Sequence, residues 1–351
     1  MTLSNDARRG RVRRYIERVR RLRAPDDPLG ERARRELPAV TGLSAAGVEL
    51  ALRQYLELDP SAEELELLCA STPEAERVHV LLSANVFVAA HRAVAVALAA
   101  SEHVFVRPSR REPVMARLLQ EASSAFQLVP ELAPAPGDHL YVYGSAETIA
   151  AVRSTLPSGV TLHAHGPGIG IAVIDLGPGS TASAAEQAAR DLAPDVIVFD
   201  QRGCLSPRIA LVLGERAAAR RFAAALAEEL AAWEARVPCG RAPELDAERR
   251  RFRDAALYAG EVFAAGTAWV SLDVSGAAPL VPPAGRNFHV RHTPDLLAAL
   301  APLAPLVTTV GLRGGRALRD AVATTLPSAR RAELGSMQKP PLDGVVDRRG
   351  G

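Results

Sequence analysis

One cysteine in this sequence stands where a nucleophile could work. Asp200-Gln201-Arg202-Gly203-Cys204-Leu205-Ser206-Pro207-Arg208 places a thiol directly after a glycine, at the foot of the apolar run Val196-Ile197-Val198-Phe199. A second apolar stretch, Ile209 to Leu213, follows. The pattern predicts a buried strand, a tight turn presenting Cys204, and a second strand or helix leading away. A thiolate on a loop, close to backbone N–H groups that lower its pKa, is what covalent cysteine chemistry requires. Free cysteines more often act as small buried hydrophobes, so Cys204 alone carries both readings. Cys69 and Cys239 have no comparable setting.

Other polar groups fall at the ends of apolar, β-rich segments. Ser83-Ala84-Asn85 follows Val78-His79-Val80-Leu81-Leu82, where the Asn85 amide either donates to a developing oxyanion or serves as an ordinary turn residue. Arg107-Pro108-Ser109-Arg110-Arg111 follows Val104-Phe105-Val106. Its guanidinium groups suit a phosphate, including a nicotinamide ribose 2′-phosphate, or form a solvated basic turn. Gly144-Ser145 ends a strand and opens a helix, a position fit for a pyrophosphate or for a simple N-cap. Gly166-Pro167-Gly168-Ile169-Gly170 is followed by a strand rather than a helix, so it reads as a glycine turn and not as a dinucleotide fingerprint.

These groups need a scaffold, and the spacing of apolar residues supplies one. Residues 1–24 carry nine arginines with Val12, Tyr15, Ile16, Val19 and Leu22 at helical spacing. That helix is expected to pack by its apolar face rather than to serve as a basic docking arm. Leu43 to Leu58 and Ala62 to Leu68 read as further helices. After Pro73 strands and helices alternate: 78–82, 91–100, 104–106, 112–123, 139–143, 147–154, 171–175 and 184–192. Such alternation implies βαβ units and a mostly parallel sheet. Beyond Cys204 come a long charged helix from Glu215 to Arg236, a Gly/Pro-rich stretch from Gly276 to Pro283, and a strand at Phe288-His289-Val290. The expected organisation is a helical segment over 1–74, a NAD(P)-binding domain over 75–174, a catalytic cysteine domain over 175–334 and an irregular tail over 335–351.

Composition narrows the classes. The 351 residues are 48% apolar and 23% charged, with a net charge of +2, which gives no global push toward nucleic acid or anionic membrane. Three irregularly spaced cysteines argue against a disulfide framework and for a reducing compartment, and no His/Cys cluster suggests a metal. No signal-like or membrane-spanning segment is evident, so a cytoplasmic protein is expected. Of 42 basic residues only Lys339 is a lysine, which excludes a Walker or Schiff-base lysine from the body of the chain.

Taken in order, Ser83-Ala84-Asn85, Arg107-Pro108-Ser109, Tyr143-Gly144-Ser145, the Cys204 motif and Met337-Gln338-Lys339-Pro340-Pro341-Leu342-Asp343-Gly344 resemble the aldehyde dehydrogenase superfamily. The match is closer to its acyl-CoA reductase branch, similar to the fatty acid reductase of bacterial luminescence, and spans about residues 75–345. The resemblance implies an α/β aldehyde dehydrogenase-like fold in two lobes, with Cys204 in the cleft between them. It further implies that Cys204 attacks the acyl carbonyl of a thioester while the Asn85 amide and the Cys204 N–H hold the oxyanion. Reduced nicotinamide cofactor then delivers hydride and an aldehyde leaves. Arg107 and Ser109 would meet the adenosine ribose, and Gly144 and Ser145 the pyrophosphate.

Two departures refine this expectation. Acid-forming aldehyde dehydrogenases carry a water-activating glutamate just before the glycine turn, whereas Thr161-Leu162-His163-Ala164-His165 has no carboxylate. Without that base water attack is slow, which favours a reductase. His163 or His165 could donate a proton, but a structural role is expected. The second departure is a missing Glu-x-Phe ribose-binding segment downstream of the cysteine. The expected activity is NADPH-dependent reduction of an acyl-CoA or acyl-carrier-protein thioester to an aldehyde, with NADH as the other cofactor and Arg107 in place of the usual lysine tilting toward NADPH. An acyltransferase relaying the acyl group on Cys204, and a non-catalytic scaffold, are the alternatives. A homo-oligomer or an acyl-transfer partner protein is the expected assembly.

Overall fold

The structure is a computed structural model describing residues 4–177, 180–273 and 280–349. Part of the Gly276–Pro283 stretch lies outside them. Two compact units emerge: Met1–Pro167 with Pro341–Val346 and Gly350–Gly351, and Gly168–Pro340 with Asp347–Arg349.

The first unit begins with four helices, α1 (Asn5–Val19), α2 (Pro28–Thr41), α3 (Ala45–Gln54) and α4 (Ala62–Ser71). Each starts at a side-chain cap, from Ser4, Asp27, Ser44 and Ser61 respectively, which satisfies an otherwise unpaired N–H of the first turn. α1 buries Val12, Tyr15, Ile16 and Val19. Several arginines of this region are spent on contacts within the unit. Arg8 is buried and donates to the carbonyls of Thr72 and Ala99, Arg11 pairs with Glu102, and just past the helix Arg20 pairs with Asp59.

A five-stranded parallel sheet follows, from β1 (Arg77–Leu81), β2 (His103–Arg107), β3 (Gln127–Leu128), β4 (His139–Tyr143) and β5 (Thr161–His165). Helices α5 (Ala89–Ala100), α6 (Val114–Ser123) and α7 (Ala146–Thr155) make the crossovers. The strand order is β3-β2-β1-β4-β5. The winding therefore reverses between β1 and β4, and the loops after these strands part at their C-terminal ends. In doubly wound sheets that switch point is where ligands bind.

The second unit is a seven-stranded sheet in the order β12-β11-β6-β7-β10-β9-β8. It runs through β6 (Ile169–Leu176), α8 (Ala182–Ile197), β7 (Pro207–Gly214), α9 (Arg216–Arg236), α10 (Asp246–Ala259), β8 (Gly260–Ala265), β9 (Ala268–Asp273), β10 (Phe288–His292), α11 (Leu296–Leu300), β11 (Val307–Arg313), α12 (Arg316–Thr325) and β12 (Arg330–Glu333). Among the described residues only the β8–β9 pair is antiparallel. The central strands are apolar on both faces, as parallel strands covered by helices must be: Ile171, Val173, Ile209, Leu211 and Val310 pack against Leu300 and Val322 of the helical layer.

One expected element differs. Val196-Ile197-Val198-Phe199 is not a strand; Val196 and Ile197 close α8, and the chain leaves it through a short turn over Val198–Gln201. A brief continuous apolar run has no period to separate a buried strand from the buried end of a helix. Here it extends a helix whose Ala185, Ala188, Ala189 and Leu192 already face the core.

Candidate functional site

The cysteine turn is built on unusual backbone. Phe199, Asp200 and Gln201 have φ of 57°, 49° and 60°, three successive non-glycine residues in the left-handed region. Each such residue costs roughly 1–2 kcal/mol, so something must hold them. Asp200 does so three ways: one carboxylate oxygen accepts from Arg286 Nε at 2.9 Å, the other from the Gly240 N–H at 2.9 Å, and its carbonyl from the Gly285 N–H at 2.8 Å. Gln201, fully buried, donates its amide to the carbonyls of Pro207 and Asn287, both at 2.9 Å.

Past this turn Cys204 lies just ahead of β7, at the edge of the sheet where β6 and β11 also begin. Gly170 donates its N–H to Ser206 O at 2.9 Å. A Cβ on Gly170 would stand 2.9 Å from both Pro207 N and Ser206 C, so only glycine lets the backbone of β6 lie against the turn. Thr308 donates its hydroxyl to the carbonyls of Cys204 and Ile169. Gln338, from the late Met-Gln-Lys-Pro motif, donates to Ser206 Oγ at 3.0 Å and to Asp195 O at 3.3 Å.

The Cys204 thiol is half-buried. Burial pushes it up to about 11, Asp347 adds to the rise, and Arg349 together with the Cys204 and Leu205 N–H groups opposes it. At neutral pH the resting group is a thiol whose thiolate is met by two backbone donors. Burial pushes Cys239 up to about 12, and Cys69 is also buried and raised.

The other expected residues all lie in the first unit, at the C-terminal edge of its sheet. Because β1 sits between β2 and β4, the loops carrying Asn85, Arg107–Ser109 and Gly144-Ser145 are neighbours. Asn85 is exposed, and its amide has no hydrogen-bond partner among the described residues. Arg107 ends β2 opposite Leu81. Ser109 accepts from the Arg111 N–H at 3.3 Å, fixing the loop. Ser145 is the N-cap of α7, accepting from the Thr148 N–H at 3.3 Å. Gly144 is close-packed, since a Cβ there would stand 3.0 Å from Thr148 Cγ2.

On the α7 side of this sheet is a pocket of about 410 Å³, bounded by Leu81, Arg107, Glu131, Pro134, Leu140 and Leu156. It is apolar walled with one cation and one carboxylate, within the size range of small-ligand sites. A nucleoside fits such a volume, and Arg107 gives it a group for phosphate or ribose.

His163 and His165 are stacked on the opposite face. The His163 ring lies 4.2 Å from Tyr141, centre to centre and nearly parallel, and His165 lies 4.8 Å from Tyr143. Burial pushes His163 down to about 4, with His139 and His165 adding to the fall. A neutral ring held in a stack makes a poor proton donor near neutrality, in keeping with a structural role. β5 contributes no carboxylate.

Thr308, Asp347 and Arg349 were not evident as parts of the cysteine region from sequence. Thr308 sits in an unremarked apolar strand, and Asp347-Arg348-Arg349 lies in a tail without periodicity. The Gly168 and Gly170 spacing was the only visible hint, and it names no neighbour.

Comparison with known proteins agrees with this architecture. Residues 122–346, more than half of the chain, match the family model described as acyl-CoA reductase (LuxC). No curated protein matches the chain. Among solved structures, an oxidoreductase from Marinobacter aquaeolei is similar with a TM-score of 0.67 at 13% identity, covering 98% of this chain and 82% of that one. A putative aldehyde dehydrogenase from Burkholderia cenocepacia gives 0.67 at 18% identity, covering 93% and 78%. A NAD-dependent benzaldehyde dehydrogenase from Corynebacterium glutamicum gives 0.62 at 17% identity, covering 94% and 81%. The shared fold is that of the aldehyde dehydrogenases.

Proposed function

Since the chain belongs to the acyl-CoA reductase (LuxC) family, a family of oxidoreductases, we propose that it reduces an acyl thioester to an aldehyde through an acyl group carried on Cys204. The observation that carries this reading is the cysteine turn. A strained, over-determined loop presents one thiol with the Cys204 and Leu205 N–H groups directed at its sulfur.

In the proposed reaction the Cys204 sulfur, after losing its proton, bonds to the acyl carbon of acyl-CoA or of an acyl-carrier protein. The carbon–sulfur bond to the donor breaks, and the donor thiol leaves with the proton. The Cys204 N–H supports the negative charge that develops on the acyl oxygen. Asn85, exposed with an unpartnered amide among the described residues, is assigned the second donor role. A nicotinamide cofactor, when bound, would supply the hydride that reduces the acyl carbon; the carbon–sulfur bond to Cys204 then breaks, the aldehyde leaves, and the Cys204 thiolate takes a proton from solvent. For its adenosine end we assign the 410 Å³ pocket with Arg107 and the Ser109 loop, and for its pyrophosphate the Gly144-Ser145 turn at the start of α7. Arg107 favours the 2′-phosphate of NADPH. The absence of a carboxylate from β5 favours survival of the acyl group against water.

The test mixes protein, NADPH or NADH, and acyl-CoA or acyl-carrier-protein donors of several chain lengths. Loss of reduced-nicotinamide absorbance is followed together with acyl labelling of Cys204 by mass spectrometry. Reduction with aldehyde release, lowered at least about 10³-fold in Cys204→Ala, is the expected result. Labelling without oxidation would make the protein an acyltransferase, and neither signal would make it a scaffold. Either outcome overturns the reductase reading.

A further inference from the structure

Two charged groups late in the sequence, Asp347 and Arg349, sit beside the supports of the cysteine turn. Asp347 and Arg349 belong to the second unit although residues 341–346 belong to the first. The family match ends at residue 346, one position short of them. They are locked as a planar pair: Arg349 Nε and Nη2 donate to the two Asp347 carboxylate oxygens at 2.9 and 2.8 Å, and Nη1 donates to Pro305 O at 2.9 Å. The pair lies against the cysteine turn's own supports. A Cβ on Gly168 would stand 2.7 Å from Arg349 Nη2 and would also strike the Thr308 side chain, whose hydroxyl holds the Cys204 carbonyl. Gly168, Thr308, the Cys204 backbone and the Arg349 guanidinium thus form one contiguous cluster.

We propose that Asp347 and Arg349 are a positioning pair for Cys204, the carboxylate restraining thiolate formation and the guanidinium promoting it, so that the two together set how much nucleophile the resting protein exposes. The other charged groups near the turn are committed elsewhere: Asp200 to Arg286, Arg202 toward Asp200, and Arg208 to the carbonyls of Pro282 and Gln201. Cys204 therefore answers to a balance of two opposed charges held 2.8 Å apart, and removing either one tips it. The inference rests on the reading of Cys204 as the acyl carrier, but its test does not need turnover.

The experiment measures iodoacetamide alkylation of Cys204 between about pH 7 and 10, quantified on the tryptic peptide that contains it, so Cys69 and Cys239 do not interfere. Asp347→Asn is expected to alkylate at least about threefold faster than the unmodified protein at a fixed pH, and Arg349→Gln at least about threefold slower. The double variant should return to within about twofold of the unmodified rate, and Arg349→Lys, which keeps the charge, should stay near it. A tail that only braces the turn would loosen in both single variants and speed both, because loosening exposes the sulfur. Both rates rising, both falling or neither changing overturns the proposal. Failure of Cys204→Ala to abolish reduction would instead overturn the catalytic reading and leave these opposed rates intact.

Discussion

Gly170→Ala puts the packing of the cysteine turn to a direct test. The added methyl would strike Leu205 O and stand 2.9 Å from Ser206 C and from Pro207 N, whereas non-bonded carbons settle at about 3.5 Å or more. All three neighbours are backbone, so no side chain can swing away, and the turn must retreat by roughly an ångström to clear Leu205 O. Overpacking of this kind costs about 1–3 kcal/mol. At roughly 2–4 °C per kcal/mol for a unit of this size, melting should fall by about 2–12 °C. Displacement of a reacting group by about 1 Å costs about 10²-fold in rate, so acylation of Cys204 should slow by about that factor. Differential scanning fluorimetry and the acyl-labelling rate measure the two effects. Gly315→Ala is the control, because a Cβ there meets nothing within 4 Å. A Gly170→Ala protein that melts within a degree of the unmodified one and acylates at the same rate would refute the close-approach reasoning.

Two further outcomes are expected. Arg107→Ala should raise the KM for NADPH about 10–100-fold, the loss of one charge-assisted contact, with kcat little changed and the KM for NADH less affected; equal effects on both cofactors would remove the 2′-phosphate role. The pH dependence of folding should hide two opposed slopes. Burial pushes His91 and His289 down to about 4, so the unfolded chain takes up protons below about 6.5 that the folded one refuses, and stability rises with pH between about 4 and 6.5. Burial pushes Glu112 and Asp195 up to about 7, so the folded chain keeps protons the unfolded one releases, and their contribution falls as pH rises through the same range. Of these four, one of each kind lies in each unit, and the first unit also holds His163, likewise pushed down to about 4. Glu112→Gln should therefore uncover a steeper loss of the first unit on acidification than the unmodified protein shows, read from the pH dependence of melting.

Much of the architecture was legible because parallel βαβ units write themselves in apolar runs and helical spacing. β1, β2, β4 and β6 lie within a residue or two of their expected positions, and so do α5, α7 and α9. The ordered loops after β1, β2 and β4 could be listed from sequence, but their adjacency depends on strand order. β1 lies between β2 and β4 through long-range pairing that no local pattern encodes. α8 absorbed the expected strand because a four-residue apolar run fits either structure. Thr308 is one threonine of a Thr-Thr pair in β11, and only the fold shows that its hydroxyl reaches Cys204 across 104 residues. Asp347 and Arg349 show the limit most clearly, since charges in an irregular tail have no spacing that names their target.

The left-handed run at Phe199–Gln201 has a consequence for how the thiol loop moves. At these positions the backbone favours glycine, while the buried environment demands an aromatic ring, a carboxylate for Arg286 and an amide for two carbonyls. If the run relaxed toward right-handed geometry, the buried Asp200 carboxylate would leave both Arg286 and the Gly240 N–H, while Arg286 would keep Glu234 alone as its ion-pair partner. Leaving the strained geometry therefore uncovers a buried carboxylate, a cost that sets itself against the strain released. The strained run and its buried contacts thus hold one another, and between them they fix where the loop carries the sulfur.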